Sequence, residues 1–434
     1  MVKALLIGAG HNGLVAAYNL AAKGLDVTLI EASGKVGGMA DTSLVDGVLL
    51  SRASYVLGLM PERLVELFGV PVLNCDPYEV IMYEGGAIPL WKDKERRRME
   101  FVKAGFERYP EFEERLLAFK RLMDEYTFTT TPPTRERLIE EAEKRGLEDF
   151  LKKGCKSLLS EYIPRELHGS FYYPDMESSP AYLVAYYFAE WHSVRGGMGA
   201  VAQAILEKAR KLGVKLMLNT RATRIKTRGN KVIGVEVNGH KEVDADVVLS
   251  TTSPLITFNI VDTNLKPNIE FPESRWVKHN VILKKYPRPP EPIEKYLGAL
   301  ISLEPVGAGE IVFPSILDQT LGGAVLNVMG PLEPLYQLFP DLKECVRRVD
   351  TLTPKRAEEL YNLPKGNVNH LPMREPYLFD NRPGKGLAYR TPIVGLYIGG
   401  AGAYPGGQVS GVPGYNASEA IIEDLSQRKT QLGR

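Results

Sequence analysis

Short apolar runs separated by glycine-rich turns open the chain. The residues ALLIG at 4–8 form one apolar run, LVAAYNLAAKG at 14–24 has apolar residues at helical spacing, and DVTLIE at 26–31 forms a second run. Short apolar runs bounded by glycine favour buried strands, and the helical spacing of apolar residues between the two runs favours a helix. The opening of the chain therefore predicts a strand, a helix and a strand, which is the start of a βαβ unit.

A charged, amphipathic pattern replaces these runs between about 85 and 195 and predicts a mainly helical insertion. Near its end, SPAYLVAYYFAEW at 179–191 is predicted to be a helix, with Ser179 as its cap and Pro180 in its first turn. Tyr182 and Tyr186 would share one face of that helix. Two interpretations of this aromatic stripe are open, contact with an apolar substrate or ordinary core packing.

The α/β pattern returns at 196–253, where GGMGAVAQAILEKARKLG predicts a helix and ADVVLSTT a buried strand. Between them, ATRIKTRGNKVIGVEV predicts a hairpin that turns at Gly229 and Asn230. Alternating runs such as VILKKY, GALISL and GGAVLNVMG at 254–390 favour an antiparallel sheet. GLYIGG and GYNASEAIIEDLSQ then predict a last strand and a last helix.

Composition and charge exclude several classes of protein. The 434 residues include 54 Lys plus Arg and 53 Asp plus Glu, so a net charge of +1 predicts no nucleic-acid partner. Cys75, Cys155 and Cys345 are too far apart for a disulfide framework, a CxxC pair or a zinc site, so we expect no metal and a reducing, cytoplasmic setting. With no long apolar stretch, we expect a protein that is soluble or at most peripheral to a membrane.

A glycine motif lies between the first strand and the first helix. Gly8, Gly10 and Gly13 form GxGxxG, in which the glycines permit a tight turn, close approach of a pyrophosphate and close packing of the helix. Glu31 ends the second strand, where its carboxylate can accept hydrogen bonds from an adenosine ribose. The motif in this context predicts a dinucleotide cofactor.

Gly37 and Gly38 follow the ribose acid, and such a pair is unnecessary for binding NAD. The pair resembles the signature of the FAD-dependent family that contains amine oxidases and carotenoid desaturases, in which it lets the chain pass close to the cofactor. Further segments appear in the order expected for this family, namely SRASY at 51–55, GGMGAVAQAI at 196–205, ATRI at 222–225 and GAGAYPGGQVSGVPGYNAS at 400–418. Within the family, the chain is most similar to the phytoene-dehydrogenase-related oxidoreductases.

The resemblance implies an α/β fold with a discontinuous Rossmann-type FAD-binding domain, an inserted mixed-sheet substrate domain and a helical insertion. The FAD-binding domain is predicted at 1–84, 196–253 and 391–434, the helical part of the substrate domain at 85–195, and its sheet part at 254–390. FAD is longer than one βαβ unit can hold. The glycine loop near the end of the chain is therefore expected to close over the reactive ring.

The resemblance also implies roles for individual residues along FAD. At the adenosine end, Glu31 and Ala32 would contact the ribose and Ala222 the adenine, while Gly8, Gly10, Asn12, Gly13 and Gly402 would face the phosphates. Gly37 and Gly38 would let the chain pass close to the cofactor. Met39 and Arg52 would lie beside the ribityl chain and ring, and Gly407, Gln408 and Val409 under the isoalloxazine. A helix N-terminus beside the ring could stabilise negative charge on its reduced form.

Two expected features are missing. Disulfide reductase chemistry is disfavoured, because the chain has no redox cysteine pair and no second GxGxxG for a nicotinamide cofactor. Amine oxidases commonly place an aromatic residue beside the glycine under the flavin, whereas this chain has Gln408 there. Amine oxidation is therefore less favoured than desaturation.

No catalytic residue stands out, and three candidates are weak. Tyr404 falls where similar proteins often carry histidine, and its unperturbed pKa near 10 suits a pocket wall better than a base. His192 and His370 are the better acid or base candidates on the pKa of free histidine, although a structural role is expected for each. Desaturation asks little more of the protein than placing a C–H bond over the flavin and excluding water.

Three functions are compatible with this pattern. The leading interpretation is an FAD-dependent oxidoreductase that dehydrogenates or isomerises a small apolar substrate such as an isoprenoid. The first alternative is an amine oxidase-like flavoenzyme. The second is a flavin-binding protein without redox activity, whose helical insertion binds a partner or a membrane lipid. The residues do not define the oligomeric state.

Overall fold

The structure is a computed structural model that describes residues 1–263 and 267–432. The predicted segments 254–390 and 391–434 therefore each include a few residues outside the described part of the chain.

Strands occur in every part of the described chain. They are β1 Lys3–Ile7, β2 Asp26–Ile30, β3 Thr42–Val45, β4 Val48–Ser51, β5 Val72–Leu73, β6 Glu79–Tyr83, β7 Gly86–Leu90, β8 Ser193–Val194, β9 Lys215–Met217, β10 Ala222–Arg228, β11 Lys231–Val237, β12 Lys241–Asp244, β13 Val247–Ser250, β14 Lys278–Leu283, β15 Leu300–Ser302, β16 Glu310–Val312, β17 Ala324–Met329, β18 Val346–Leu352 and β19 Leu396–Ile398.

Helices alternate with these strands at both ends of the chain and replace them in the middle. They are α1 His11–Ala22, α2 Glu62–Phe68, α3 Lys94–Lys103, α4 Tyr109–Asp124, α5 Arg135–Glu143, α6 Asp149–Lys152, α7 Cys155–Leu159, α8 Tyr182–Tyr187, α9 Gly199–Lys211, α10 Pro254–Ile260, α11 Pro314–Leu317, α12 Glu333–Leu338, α13 Leu342–Cys345, α14 Pro354–Tyr361 and α15 Val412–Leu432. Among these helices, none is both long and apolar enough to cross a membrane.

A five-stranded sheet assembles from distant parts of the chain. Its order is β19-β13-β1-β2-β9, and every neighbouring pair is parallel. β13 is buried along its whole length, as expected for a parallel strand covered on both faces. Helix α1 packs against α15, where Asn19 donates hydrogen bonds to Ser418 at 2.8 Å and Glu419 at 2.7 Å. The two ends of the chain therefore form one α/β layer, the part of the fold predicted to bind the cofactor.

The predicted hairpin is confirmed. β10 and β11 pair antiparallel, with Arg228 opposite Lys231 across the turn at Gly229 and Asn230, and β12 extends the pair to three strands. These strands pack over the five-stranded sheet through a shared apolar cluster that includes Leu5 and Val248.

A second large sheet has seven strands in the order β18-β14-β17-β16-β15-β6-β7. Its neighbours pair antiparallel, as predicted for the runs at 254–390, except that β15 pairs parallel with β6. β6 and β7 come from 79–90, so this sheet takes in strands from the predicted 1–84 and 85–195 segments as well. The domain boundaries themselves stay a prediction.

The helical insertion contains α3 to α8, but one predicted helix within it is wrong in extent. The segment 179–191 forms a helix only over Tyr182–Tyr187, and Ser179 does not cap it. Instead, Ser179 accepts a hydrogen bond from the amide of Cys155, and Ala181 donates one to the carbonyl of Lys153, both at 2.9 Å. These bonds, with an isolated bridge between Gly154 and Pro180, engage the segment before Tyr182, so the helix begins later.

Candidate functional site

A cavity of about 1150 Å³ lies between the two large sheets, and we call it the central cavity. The ends of β1, β2 and β13 open onto it through Gly8, Glu31 and Thr251. Open α/β sheets bind ligands at this carboxyl edge. Because typical ligand pockets measure roughly 300–1,000 Å³, the central cavity has room for a cofactor and a further molecule.

The first glycine turn requires glycine at its third position. A Cβ on Gly13 would lie 1.9 Å from the carbonyl oxygen of Gly8, so no side chain fits between the turn and α1. Gly37 donates its amide to the carbonyl of Ala9 at 2.8 Å, and Gly38 lies against Gly10. The glycine pair therefore passes directly over the first turn. A Cβ on Gly38 would lie 3.3 Å from Cα of Gly10, and one on Gly37 would lie 2.4 Å from the carbonyl oxygen of Ala40.

Glu31 lines the cavity and also accepts two backbone hydrogen bonds through its carboxylate. Its Oε2 accepts a hydrogen bond from the Ala9 amide and its Oε1 accepts one from the Ser33 amide, both at 2.9 Å. The carboxylate thus joins the first glycine turn to the segment after β2. Each carboxylate oxygen keeps a second lone pair for a hydroxyl donor from the cavity.

The two glycine loops from opposite ends of the chain meet at the cavity wall. His11, which follows the first turn, forms a hydrogen bond at 3.1 Å between its Nε2 and the carbonyl of Gln408. Gln408 and Val409 line the cavity, whereas Gly402 and Gly407 lie behind that wall. A Cβ on Gly407 would lie 2.0 Å from Oδ1 of Asn369, so this loop also needs glycine for packing.

Most residues predicted to contact the cofactor line this one cavity. Those that line it are Gly8, Gly10, Asn12, Glu31, Ala32, Gly38, Met39, Arg52, Ala222, Gln408 and Val409. Gly13, Gly37, Gly402 and Gly407 do not line it and instead let neighbouring backbone pack closely. The structure thus brings together residues from about 8 to 409, while their individual contacts with a cofactor stay a prediction.

The three catalytic candidates lie in different places. Tyr404 is 3% exposed, does not line the cavity, and has its pKa raised well above its usual value by burial. His192 does not line the cavity, and its backbone forms hydrogen bonds with the backbone of Leu57. Burial and the charge of Lys92 lower the pKa of His192. His370 lines the cavity, but burial, with Arg382 and His11 nearby, lowers its pKa to about 3. The pKa of free histidine therefore does not describe His192 and His370 in the folded protein.

Arg382 is a residue that the sequence patterns did not single out. It is fully buried, and its guanidinium donates hydrogen bonds to the carbonyl oxygens of five residues, Asn369, Leu371, Pro372, Tyr377 and Ala401, at 2.6–3.2 Å. Burial lowers the pKa of Arg382 to about 10, which leaves it charged at neutral pH. Arg382 therefore holds the segment with His370 against the end of β19.

Lys278 was also missed, because nothing in its local sequence marks it. The side chain is fully buried, and its Nζ donates hydrogen bonds to the Ser51 carbonyl at 2.6 Å, to Oδ1 of Asn327 at 3.2 Å and to Oδ1 of Asn280. Nζ also lies 5.3 Å from the centre of the Tyr55 ring. Burial lowers the pKa of Lys278 well below its usual value.

The sheet on the far side of the cavity carries two carboxyls with raised pKa values, the buried Glu79 and the partly exposed Glu310. Burial and, to a lesser extent, Glu310 raise the pKa of Glu79 to about 8. Burial and, to a lesser extent, Glu304 raise the pKa of Glu310 to about 7, while the nearby Tyr55 hydroxyl opposes that shift. These residues come from separate strands and carry no sequence motif.

The raised pKa of Glu79 predicts a pH dependence of stability. A carboxyl whose pKa rises from 4.5 to about 8 on folding binds more protons in the folded state, so its contribution is complete below pH 4.5 and is lost as the pH rises toward 8. Raising the pH from 5 to 8.5 should therefore lower the free energy of unfolding by about 1–3 kcal/mol more in the wild type than in Glu79→Gln. Denaturant titrations at both pH values measure this difference. The exposed Glu294→Gln serves as the control, and equal losses in wild type and Glu79→Gln would contradict the assignment.

A parallel sheet assembled from both ends of the chain, a cavity at its carboxyl edge and a second sheet across that cavity define a Rossmann-type flavoprotein with an inserted substrate domain. The family described as flavin containing amine oxidoreductase matches residues 13–276. The chain belongs to this family and is an FAD-dependent oxidoreductase. The predictions of the fold class, the family and the cofactor are confirmed.

Known proteins similar to this chain extend over nearly its whole length. Pyridine nucleotide-disulfide oxidoreductase domain-containing protein 2 of Mus musculus is 27% identical, covering 97% of this chain and 93% of the mouse protein. One of the subunits of limonene dehydrogenase from Castellaniella defragrans is 23% identical, covering 97% of this chain and 94% of its own length. The structure of cyclohexylamine oxidase from Brevibacterium oxydans superposes with a TM-score of 0.62 at 17% identity, covering 98% and 99%, which shows a shared fold.

The residues around the cavity fit FAD. Adding a Cβ to Gly10 or Gly38 would fill the space between the first turn and the glycine pair, where a pyrophosphate could approach the backbone. Two buried polar atoms of the cavity wall, Nδ1 of His11 and Oδ1 of Asn369, have no hydrogen-bond partner among the described residues. Such atoms are compatible with a polar ligand between the two glycine loops.

Proposed function

We propose that the protein dehydrogenates an apolar, isoprenoid-like molecule and transfers the hydride to bound FAD. The observation that carries this proposal is the wall of the central cavity beyond Gln408. There, Tyr55 and Trp191 pack with Leu300, Val312 and Met329 in one cluster, and the two aromatic residues and Met329 face the cavity. An apolar wall of this kind favours an apolar substrate and excludes water from the reacting bond.

We propose that FAD lies along the cavity from the first glycine loop to the last. Glu31, Ala32 and Ala222 would hold the adenosine, and the turn from Gly8 to Gly13 the pyrophosphate. Met39, Arg52, Gln408 and Val409 would then lie beside the ribityl chain and ring. Arg52 is itself held by Asp350 through an ion pair of 3.2 Å, which supports a fixed position at the cavity wall.

FAD, when bound, supplies the hydride acceptor for this chemistry. The chain's own residues position the substrate and keep water away. His370 and His11 are neutral at physiological pH, because burial lowers their pKa values to about 3 and about 4. They therefore offer hydrogen bonds rather than positive charge to their surroundings.

Amine oxidation is the second candidate, and one observation favours it. Glu310, Tyr55, Tyr173 and Trp191 line the same part of the cavity, and a carboxylate among aromatic rings can bind an ammonium group. Cyclohexylamine oxidase, which shares the fold, is named for such a substrate. Gln408 in place of an aromatic residue argues against this candidate.

Anaerobic mixing of the FAD-bound protein with separate compounds distinguishes these functions. We expect limonene or the longer isoprenoid phytoene to bleach the flavin absorbance band, and NADPH to leave it unchanged over the same time. Bleaching by cyclohexylamine alone would favour amine oxidation. Rapid bleaching by NADPH would overturn the proposal, and no bleaching by any compound would favour a flavin-binding protein without redox activity.

A further inference from the structure

The seven-stranded sheet has one apolar face and one mixed face. Because side chains alternate along strands, Val80, Ile301, Ile311 and Val328 share one face, where they pack with α12 and α13 in a separate core. The other face carries a row that crosses four neighbouring strands. Register places Ser302 opposite Glu310, Glu310 opposite Met329, and Met329 opposite Lys278.

This second face forms the substrate side of the central cavity. Glu310 and Met329 line the cavity directly, and Leu300 and Val312 on the same face pack with Tyr55 and Trp191. Glu310 is therefore a carboxyl beside the apolar and aromatic cluster of this wall, and Glu304 is a second carboxyl of the cavity lining. Such a position is costly for a charged group unless the group has a task or a partner.

The groups that face Glu310 are all acidic or phenolic. Tyr55 after β4, Tyr173 before α8, Glu304 after β15 and Glu79 on β6 each interact electrostatically with it. Within the described residues, no lysine, arginine or histidine forms an ion pair with Glu310. A structural salt bridge therefore does not explain this carboxyl.

Tyr173 connects Glu310 with the last glycine loop. Its hydroxyl lies near both Glu310 and the side chain of Gln408 and interacts electrostatically with them. Glu310 is thus one side chain away from the segment proposed to lie under the isoalloxazine. A substrate held between the aromatic wall and that segment would lie against Glu310.

We propose that Glu310 is the catalytic base that receives the proton released by the substrate; this inference rests on the proposed dehydrogenation. Two C–H bonds on neighbouring carbons break and a C=C bond forms. One hydrogen leaves with its electron pair as a hydride to oxidised FAD, and the other leaves as a proton to the Glu310 carboxylate. The proton then passes to solvent, and the electrons leave the reduced cofactor to an external acceptor such as oxygen or a quinone.

Three other ionisable groups of the wall suit this role less well. His370 and His11 have pKa values of about 3 and about 4, so they hold a proton poorly at neutral pH. Burial raises the pKa of Tyr173 well above its usual value, so its phenol stays protonated at neutral pH and cannot accept a proton. Glu310, with a pKa of about 7, is deprotonated in about half of the molecules at neutral pH and can exchange a proton in each turnover.

The test compares wild type with Glu310→Gln and Glu310→Asp, each bound to FAD. Infrared difference spectra recorded across a pH titration should show a carboxyl that titrates near pH 7 in wild type and is lost in Glu310→Gln. With the faster of limonene and phytoene, the rate of flavin bleaching in wild type should rise with pH through the same range. Glu310→Gln should lower that rate by about 10²–10⁴-fold and remove its pH dependence.

Binding and folding are checked separately. Glu310→Gln should change the half-saturating hydrocarbon concentration by less than about threefold, since catalysis and not binding is removed. Glu310→Asp should keep a pH-dependent rate, and the exposed Glu294→Gln should match wild type. If wild type is bleached and Glu310→Gln keeps the wild-type rate and pH profile, Glu310 is not the base. If neither hydrocarbon bleaches wild type, the proposed dehydrogenation fails and this role falls with it.

Discussion

Replacing Gly13 with alanine should give a protein that purifies without FAD. The added Cβ would lie 1.9 Å from the Gly8 carbonyl oxygen and 2.9 Å from Oγ1 of Thr251. Both neighbours belong to the tightly packed carboxyl edge of the sheet, so α1 must move away from the first turn. Overpacking of this kind costs about 1–3 kcal/mol, which corresponds to a loss of about 10–100-fold in FAD affinity if the strain falls on the bound state.

The measurement is the ratio of flavin absorbance to protein absorbance, followed by FAD titration of the purified variant. Gly384→Ala is a matched control, because its Cβ would meet only the flexible end of Leu387 at 3.3 Å and the side chain of Pro267 at 4.0 Å. The control should retain FAD. Wild-type FAD content in Gly13→Ala would mean that the turn does not need glycine at this position.

Arg382→Lys should destabilise the protein by about 3–5 kcal/mol, although it keeps the positive charge. The guanidinium donates to the carbonyls of five residues through three nitrogens, whereas a lysine ammonium has three donors on one atom. Several buried carbonyls would then lose their partner. The segment around Asn369 and His370 would lose its attachment to Ala401 at the same time.

Denaturant unfolding of FAD-bound protein measures this cost, and FAD content reports whether the cavity wall survives. Arg288→Lys is the control, since the Arg288 side chain is 90% exposed and a surface exchange should change stability by less than about 0.5 kcal/mol. A change of under about 1 kcal/mol in Arg382→Lys would show that the buried guanidinium is not what holds this segment.

Sequence patterns predicted the cofactor half of the molecule well because its constraints are local. A strand, a glycine turn and a helix are adjacent in the chain, and the acid that ends β2 follows at a fixed distance from Gly13. The loop with Gln408 was recognisable because glycine is needed wherever backbone approaches closely, as at Gly407. The Rossmann-type fold was predicted from these segments, whereas the strand order comes from the structure.

The substrate half could not be predicted in the same way. Strand register places Glu310 and Lys278 on one face of a sheet whose strands lie far apart in sequence, and no local pattern encodes that register. Tyr55, in the segment after β4, lies 5.3 Å from Nζ of Lys278. The helix at 182–187 began late because pairing with the segment near Cys155 outweighed its local cap and proline.

The surroundings of acid and base candidates also lie beyond what sequence patterns describe. Free histidine has a pKa near neutrality and free glutamate does not, so sequence reasoning favours histidine. Burial disfavours the charged form of each group, and it therefore lowers the pKa of His370 while raising that of Glu310. The proposal of Glu310 as the base therefore depends on burial, which the sequence does not show.

An experimental structure of the FAD-bound protein tests the central claim, that one FAD extends between the two glycine loops with the substrate space beyond its ring. We expect adenosine density beside Glu31 and Ala222, and isoalloxazine density against Gln408 and Val409. The open face of the ring should then look onto Glu310 and Tyr55. An isoalloxazine bound at the Glu31 end, or a ring whose open face is closed off from Glu310, would contradict the account.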